Sequence, residues 1–298
     1  MKGLDYKWLE ALNAVMSHQS FELAAEHLYI SQSAVSQRIK QLEKFVAQPV
    51  LVREHPLRST EIGKKLMGFY RKVCILEEEI LPDINNDHAV FPTTVSIASN
   101  ADSLATWLLP ALSNVIKSRN IKLDIRVITE GRSIEKLRNG EVSGAICSEK
   151  DPISGCFSVY LGRVDYLCVA NAEFIHKYFW QGVTADTLMK APAVCFDQYD
   201  TMHKEFLMNN FSIPSRNIIY HSVGSSEAFV KLALFGAAYC MIPKHQIEDE
   251  LKSGSLIDVT PGKAYSYSIY WHHWQLESGV LKDVTEAIVT FSHQHLFQ

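Results

Sequence analysis

No two of the 14 glycines in this chain stand two positions apart, so G-x-G is absent, and with it the dinucleotide-binding fingerprint. The phosphate-cradling G-x-x-x-x-G-K, the nucleophile elbow G-x-S-x-G and the zinc-binding H-E-x-x-H are absent too. What is left of enzyme-like signals is thin. Ser133–Lys136 matches S-x-x-K, a spacing that a solvated helical lysine meets by chance. His272 and His273 are adjacent, and adjacent side chains on a strand point to opposite faces, which is poor geometry for sharing a metal. The chain is expected to be no enzyme and to need no cofactor or metal.

Long apolar runs are also missing. The longest stretches without Asp, Glu, Lys or Arg are 14 residues, His88–Ala101 and Ser103–Ile116. The first is polar and the second contains Pro110, so neither spans a bilayer as a helix. The N-terminal MKGLDYKWLEALNAV carries an acid inside its apolar run and no small-residue cleavage site, unlike a signal peptide. The six cysteines form no C-x-x-C, which argues against a zinc ribbon or a thioredoxin-like motif. Cys147, Cys168, Cys195 and Cys240 sit in apolar runs and read as buried free thiols of a cytoplasmic protein.

Strong net charge is lacking as well, at −4 over 298 residues, but the average hides an asymmetry. Residues 1–72 hold 11 Lys/Arg against 7 Asp/Glu, while the remainder is acidic. A basic first quarter on an acidic body fits contact with a polyanion through the N-terminal part alone; a solvated charged face gives the same count.

The first 60 residues read as short helices. Trp8, Leu9, Leu12, Val15 and Met16 recur at helical spacing. Ser20 can cap a second helix with Leu23, Ala24 and Leu28 on one face, and Ser31 a third carrying Ala34, Val35, Ile39 and Leu42. Thr60 caps a longer helix to about residue 82, where Pro82 ends it. Its stripe Ile62, Leu66, Phe69, Tyr70, Val73, Leu76 and Ile80 needs a partner, either its own domain or a second subunit. Pro82–Pro92 reads as a hinge. Beyond it, strand candidates Thr94–Ala98, Lys122–Ile128, Gly144–Cys147, Tyr166–Ala170, Ala193–Phe196, Ala237–Ile242 and Ser266–Trp271 alternate with helical patterns, which implies an α/β region of about 200 residues.

The third helix carries the chemistry. Opposite its apolar face stand Ser31, Gln32, Ser33, Ser36, Gln37 and Arg38, short hydrogen-bonding side chains that can reach base edges in a major groove. Arg53 and Arg58 flank a turn containing Pro56, placed like a wing that could touch backbone phosphates or the minor groove. A Ser- and Gln-rich surface helix is the bland alternative.

Further on, Asn100, Asp102 and Ser103 follow a strand and open a helix, with Thr106 one turn later. Backbone N–H groups there suit a ligand carboxylate, and Asp102 suits an ammonium, unless Asp102 or Ser103 merely caps its own helix. Trp107 is expected in the core. Other strand ends give Thr129, Glu130, Ser148 and Asp197, and Ser225, Ser226 and Glu227 open another helix. Loops at the carboxyl ends of strands are where open α/β sheets bind ligands. Asp102, Glu130, Asp197 and Glu227 are the carboxylates placed near a cationic ligand, each with a solvated surface acid as its alternative.

SFELAAEHLYISQSAVSQRIKQLE, followed by VLVREHPLRSTEIGKKL, resembles the winged helix-turn-helix and linker-helix start of LysR-type transcriptional regulators. SNADSLATWLLPAL, GEVSGAICSEKDPISGC, SSEAFVKLALFGAAYCMIP and IYWHHWQLES are similar to the arginine- and lysine-responsive branch of that family. The resemblance implies a winged helix-turn-helix at 1–59, a linker and dimerisation helix with hinge at 60–92, and an α/β effector region at 93–298. That region would have two lobes like periplasmic binding proteins, roughly 93–163 plus 268–298, and 164–267. It implies a homo-oligomeric activator, dimeric or tetrameric, of basic amino-acid export or metabolism genes. Such a protein would bind double-stranded DNA, a lysine or arginine effector and RNA polymerase. It also implies acids at 128, 129 and 201, where this chain has Ile128, Thr129 and Thr201, so a neutral amino acid is a second expectation for the effector. Rival readings are a replication-origin or nucleoid binder, a solute-binding protein with a helical interaction module, and an α/β enzyme acting on an amino acid.

Overall fold

The structure is a computed structural model that describes residues 3–54, 56–84, 92–128, 131–214, 216, 218–275, 277 and 279–297. It divides into two compact units. The first takes in residues 1–96, 120–124 and 135–143, and the second 97–119, 125–134 and 144–298.

The first unit opens with α1 (Tyr6–His18), α2 (Phe21–His27) and α3 (Gln32–Val46). Each start is fixed by a side chain that takes a free backbone N–H: Asp5 from Lys7, Ser20 from Glu22 and Leu23, Ser31 from Ala34. Leu9, Leu12, Val15, Ala24, Ala25, Val35, Ile39 and Leu42 form the shared core. Leu23, expected on that face, is 49% exposed, and Ala25 is buried in its stead. Two residues each make β1 (Leu51–Val52) and β2 (Arg58–Ser59), an antiparallel wing.

Thr60 then caps α4 (Glu61–Ile84), taking the Gly63 N–H and donating its hydroxyl to Pro49 O. The helix continues past Pro82, where a stop was expected. Ile62, Leu66, Met67 and Tyr70 pack on the core of the three short helices, whereas Phe69 is half exposed. The start of the stripe therefore serves its own domain; the side chain of Ile80 lies outside the described residues, as do residues 85–91 of the expected hinge.

Residues 139–141 lie against α4, backbone on backbone. A Cβ on Gly140, whose φ is +65°, would stand 2.1 Å from Gly68 Cα, and one on Gly68 would stand 2.9 Å from Asn139 O. Arg71 Nη1 donates to Gly140 O at 2.8 Å.

The unit boundary cuts across β3 (Thr93–Ser99) and β4 (Ile121–Val127), so most of the larger sheet belongs to the second unit. Between those strands run α5 (Ala101–Ser103), a π-helical turn Leu104–Leu108 and α6 (Leu109–Ser118). Pro110 has no N–H to give to residue 106, and the wide turn sits directly before it. Next come α7 (Ser133–Arg138), β5 (Gly144–Cys147), β6 (Cys156–Ala170), α8 (Ala172–Tyr178), α9 (Ala185–Lys190), β7 (Pro192–Cys195) and α10 (Met202–Phe211). The chain closes with β8 (Ile219–Ser222), α11 (Ser226–Leu234), β9 (Cys240–Pro243), α12 (Glu248–Ser253), β10 (Ile257–Asp258), β11 (Tyr265–Trp274) and α13 (Gly279–His295).

The large sheet has the order β10-β6-β11-β5-β3-β4, with β9 also on β6, and β7 pairs β8 in a second, parallel sheet. β3 and β5 are parallel; β11 runs antiparallel to both β5 and β6. This is the expected α/β class, with two strands longer than their sequence pattern. β6 starts ten residues before the expected Tyr166, and a register shift at Ile269/Tyr270 lets it pass Gly162. Cys147, Cys168, Cys195 and Cys240 are buried free thiols, and Trp107 is buried. Among the described residues no helix is long and apolar enough to cross a membrane.

Candidate functional site

The second unit holds a cavity of about 170 Å³. That is well above the roughly 10–15 Å³ needed to admit one water-sized group, so the cavity can take a small molecule. It opens where β3, β5 and β7 end and α10 and α11 begin, the position to which the strand-end rule points.

Asn100 builds the first wall. Its Oδ1 takes the Ser103 N–H at 3.0 Å and so caps α5; neither Asp102 nor Ser103 does. Asp102 is thereby free to turn inward, where Tyr166 donates to Oδ2 at 2.6 Å and Ser226 to Oδ1 at 2.5 Å. Each hydroxyl has one proton, which fixes the rest of the chain. With its proton on Asp102, Tyr166 accepts from Tyr267 at 3.0 Å, and Tyr267 accepts from Asn100 Nδ2 at 3.2 Å. Ser226 Oγ also lies 2.9 Å from Gln246 Oε1, so its single proton is shared between two acceptors. The donors converge on one carboxylate, and each bond polarises the next.

Burial pushes the Asp102 carboxyl up, the two hydroxyls pull it down, and Asp200 and Glu227 push it up again. Asp200 also lines the cavity. It takes the N–H groups of Phe196 and Met202 at 2.8 and 3.2 Å, and burial raises its carboxyl too. Among the described lining residues there is no Lys or Arg. Two enclosed carboxyls without a cation in the lining make a site whose complement is a cationic ligand. Tyr166, Tyr265, Tyr267, Phe196 and Phe229 supply aromatic surface, and Ile128 and Thr201 lie in the lining.

Of the residues expected at the site, Asn100, Asp102, Ser148 and Ser226 line the cavity. Thr129 and Glu130 lie outside the described residues. Ser103 is buried beside the cavity, outside its lining. Thr106 is a turn away, its hydroxyl donating to Asp102 O at 2.7 Å. Asp197 is held in its own loop by the Tyr199 N–H at 2.7 Å, and Asp200 takes the inward place. Ser225 caps α11, and Glu227 is exposed, accepting from the Ser225 hydroxyl at 2.9 Å. The tyrosines were missed. Tyr265 and Tyr267 alternate on β11, and Tyr166 pairs with Tyr265 in register, so period two was their signal. Among the described residues no three His, Cys, Asp or Glu are grouped as a metal would need. His272 and His273 are both buried, with His272 Nε2 2.6 Å from Glu149 O and His273 Nδ1 2.8 Å from Glu277.

In the first unit Ser31, Gln32, Ser33 and Gln37 are exposed on α3 and its cap, and Ser36 is half-buried. Ser31 and Ser33 hydroxyls lie 2.9 Å apart, and Gln32 reaches Ser36 at 3.5 Å. Arg38 is turned back: its Nη1 meets Glu10 at 3.2 Å and ties α3 to α1. Arg53 lies over the Phe21 ring and 3.7 Å from Glu43, while Arg58 is exposed on the wing.

Residues 6–64 match the model of the bacterial regulatory helix-turn-helix protein, lysR family, and residues 92–291 that of the LysR substrate binding domain. The HTH-type transcriptional regulator ArgP of Vibrio parahaemolyticus is 60% identical over 298 residues, covering 100% of both chains. Among solved structures, ArgP from Mycobacterium tuberculosis superposes with a TM-score of 0.86 at 32% identity, covering 99% of each chain. LysG from Corynebacterium glutamicum, with the effector Arg bound, gives 0.79 at 29% identity, covering 99% of this chain and all of that one.

Proposed function

The chain belongs to the LysR family of bacterial helix-turn-helix regulators and is a DNA-binding transcriptional regulator; on that premise we propose that a basic amino acid in the cavity of its second unit controls it. The observation that carries this is the pair of enclosed carboxyls, Asp102 and Asp200, with no Lys or Arg in the described lining. The arginine bound to the similar LysG supports the same reading. Ile128 and Thr201 line the cavity where resemblance implied acids, so arginine and lysine are held by fewer charges here.

The regulator acts in the cytoplasm as an activator of amino-acid export or metabolism genes, contacting RNA polymerase. In the domain scheme we propose, residues 1–59 read DNA, 60–92 link and dimerise, and 93–298 sense the effector. Ser31, Gln32, Ser33, Ser36 and Gln37 meet base edges, and Arg53 and Arg58 meet phosphates. Arg38 acts indirectly by holding α3 against α1. Two subunits joined through α4 present two such helices to a pseudo-palindromic site. A coupling of a few kcal/mol between cavity and DNA suffices for control.

The test is a thermal-shift titration of the purified protein with the common amino acids, followed by calorimetry of the hits. Selective stabilisation by arginine or lysine supports the reading. A response to a neutral amino acid, or to none, removes the basic effector and leaves the DNA-binding regulator.

A further inference from the structure

Helix α2 ends in a turn that two other helices of the chain repeat. Past α2 the Tyr29 N–H meets Glu26 O at 3.2 Å and the Ile30 N–H meets Ala25 O at 3.1 Å. Past α7 the Gly140 N–H meets Leu137 O and the Glu141 N–H meets Lys136 O. Past α11 the Gly236 N–H meets Ala233 O and the Ala237 N–H meets Leu232 O. In each turn the residue beyond the cap is left-handed, with φ of +53° at Tyr29, +65° at Gly140 and +67° at Gly236. Glycine suits this place because it has no Cβ to crowd the backbone, and asparagine is the usual second choice. A tyrosine there costs stability. Its own domain returns nothing for that cost. Leu28 and Ile30 pack on the core to either side, while Tyr29 is 95% exposed, more than any other large apolar side chain among the described residues.

We propose that Tyr29 is a DNA contact, its phenol hydroxyl donating to a phosphate oxygen beside the groove that α3 enters. The inference rests on the reading of α3 as the helix that meets base edges, and extends it. Tyr29 stands two residues before Ser31, so their Cα atoms are at most about 7.6 Å apart. Ser31, Gln32 and Ser33 are exposed from that point on. A helix whose first residues reach base edges brings the residue just before them to the flanking sugar-phosphate backbone. Tyrosine is one of the neutral side chains that bond phosphate oxygens, and its rigid ring carries the hydroxyl farther from the backbone than serine or asparagine would. The contact adds affinity without adding charge, so it releases no counterion, in contrast to Arg53 and Arg58 on the wing.

The experiment is fluorescence anisotropy of the full-length protein on a duplex that the wild type recovers from a random-sequence pool, at several salt concentrations. Thermal unfolding and gel filtration of each variant run alongside. Tyr29→Phe removes only the hydroxyl and should weaken binding at least about fivefold. Tyr29→Asn should weaken it as much while raising the unfolding midpoint by about 2 °C, because the turn is relieved. Both should keep the salt slope of the wild type. Gln32→Ala reports on α3 itself and should also lose affinity. A Tyr29→Phe protein that binds within about twofold of the wild type, while Gln32→Ala is weakened, overturns the proposal and leaves the α3 reading in place. If Gln32→Ala binds like the wild type as well, the α3 reading falls and the proposal with it. Dissociation of the oligomer by Tyr29→Phe would make Tyr29 a subunit contact and would also overturn it.

Discussion

The polar side chains of the two units live under opposite conditions. At the exposed start of α3 they stand in water, and the bonds there run to neighbours two to four residues away, Ser31 to Ser33 and Gln32 to Ser36. Around the cavity they are enclosed, and their partners are remote in sequence: Asp102 meets Tyr166 and Ser226, and Asn100 meets Tyr267. A surface that meets a hydrated polyanion leaves its donors loose and solvated until contact, and draws affinity from charge. A cavity for one small molecule is built beforehand, because an enclosed polar atom left unpaired costs more than its bond returns.

That contrast can be broken first at Asp102. Asp102→Asn removes the charge but keeps the shape, and is expected to weaken effector binding about thirtyfold, the worth of roughly 2 kcal/mol for a charge-assisted bond. Affinity for a DNA fragment, followed by fluorescence anisotropy without effector, should change less than twofold. A comparable loss in both would mean that the two regions are not separable.

Acid provides the next test. Burial holds His203 at about 4, against 6.5 for a free histidine. The unfolded chain therefore takes up a proton that the folded one refuses. Stability contributed by the neutral ring is complete above pH 6.5 and is lost as pH falls toward 4, by about 3 kcal/mol if nothing relaxes. Thermal unfolding between pH 7 and 4.5 should show this limb, and His203→Gln should flatten it.

A third expectation separates two arginines of the first unit. Arg58→Ala should weaken binding to all duplexes alike and lower the salt slope by about one. Arg38→Ala should leave the salt slope within error and cost about 0.5–1 kcal/mol of stability through its half-exposed ion pair with Glu10. If Arg38→Ala lowered the slope as Arg58→Ala does, Arg38 would be a DNA contact after all. The smallest effect belongs to Glu227→Ala. Its carboxylate is exposed, so effector affinity measured by calorimetry should fall no more than twofold.

The difference between the units also explains what the sequence discloses. In the first unit the helices, their caps at Ser20, Ser31 and Thr60 and the exposed face of α3 are local features, legible from spacing alone. The direction of Arg38 is not local, because Glu10, 28 residues earlier, decides where it points. In the second unit Asp197 and Asp200 are three residues apart in FDQYD, and spacing does not say which turns inward. Backbone N–H groups decide it: Tyr199 takes Asp197 into the loop, while Phe196 and Met202 hold Asp200 at the cavity. β8 escaped notice because it is an exposed strand with no core face to alternate against. β6 was read short because Gly162 interrupts its pattern where the register shifts.

The backbone contact between Gly68 and Gly140 has a consequence for anyone recombining such proteins. Residues 6–64, matched as the helix-turn-helix, invite transplantation onto another relative's sensing domain with a joint somewhere in α4. A joint between 68 and 140 would take the two glycines from different parents. Where the other parent carries a β-carbon at either position, it would stand 2.1 Å from Gly68 Cα or 2.9 Å from Asn139 O, with only backbone to give way. Chimaeras cut before 68 or after 143 inherit the pair from one parent, and those are the ones to build.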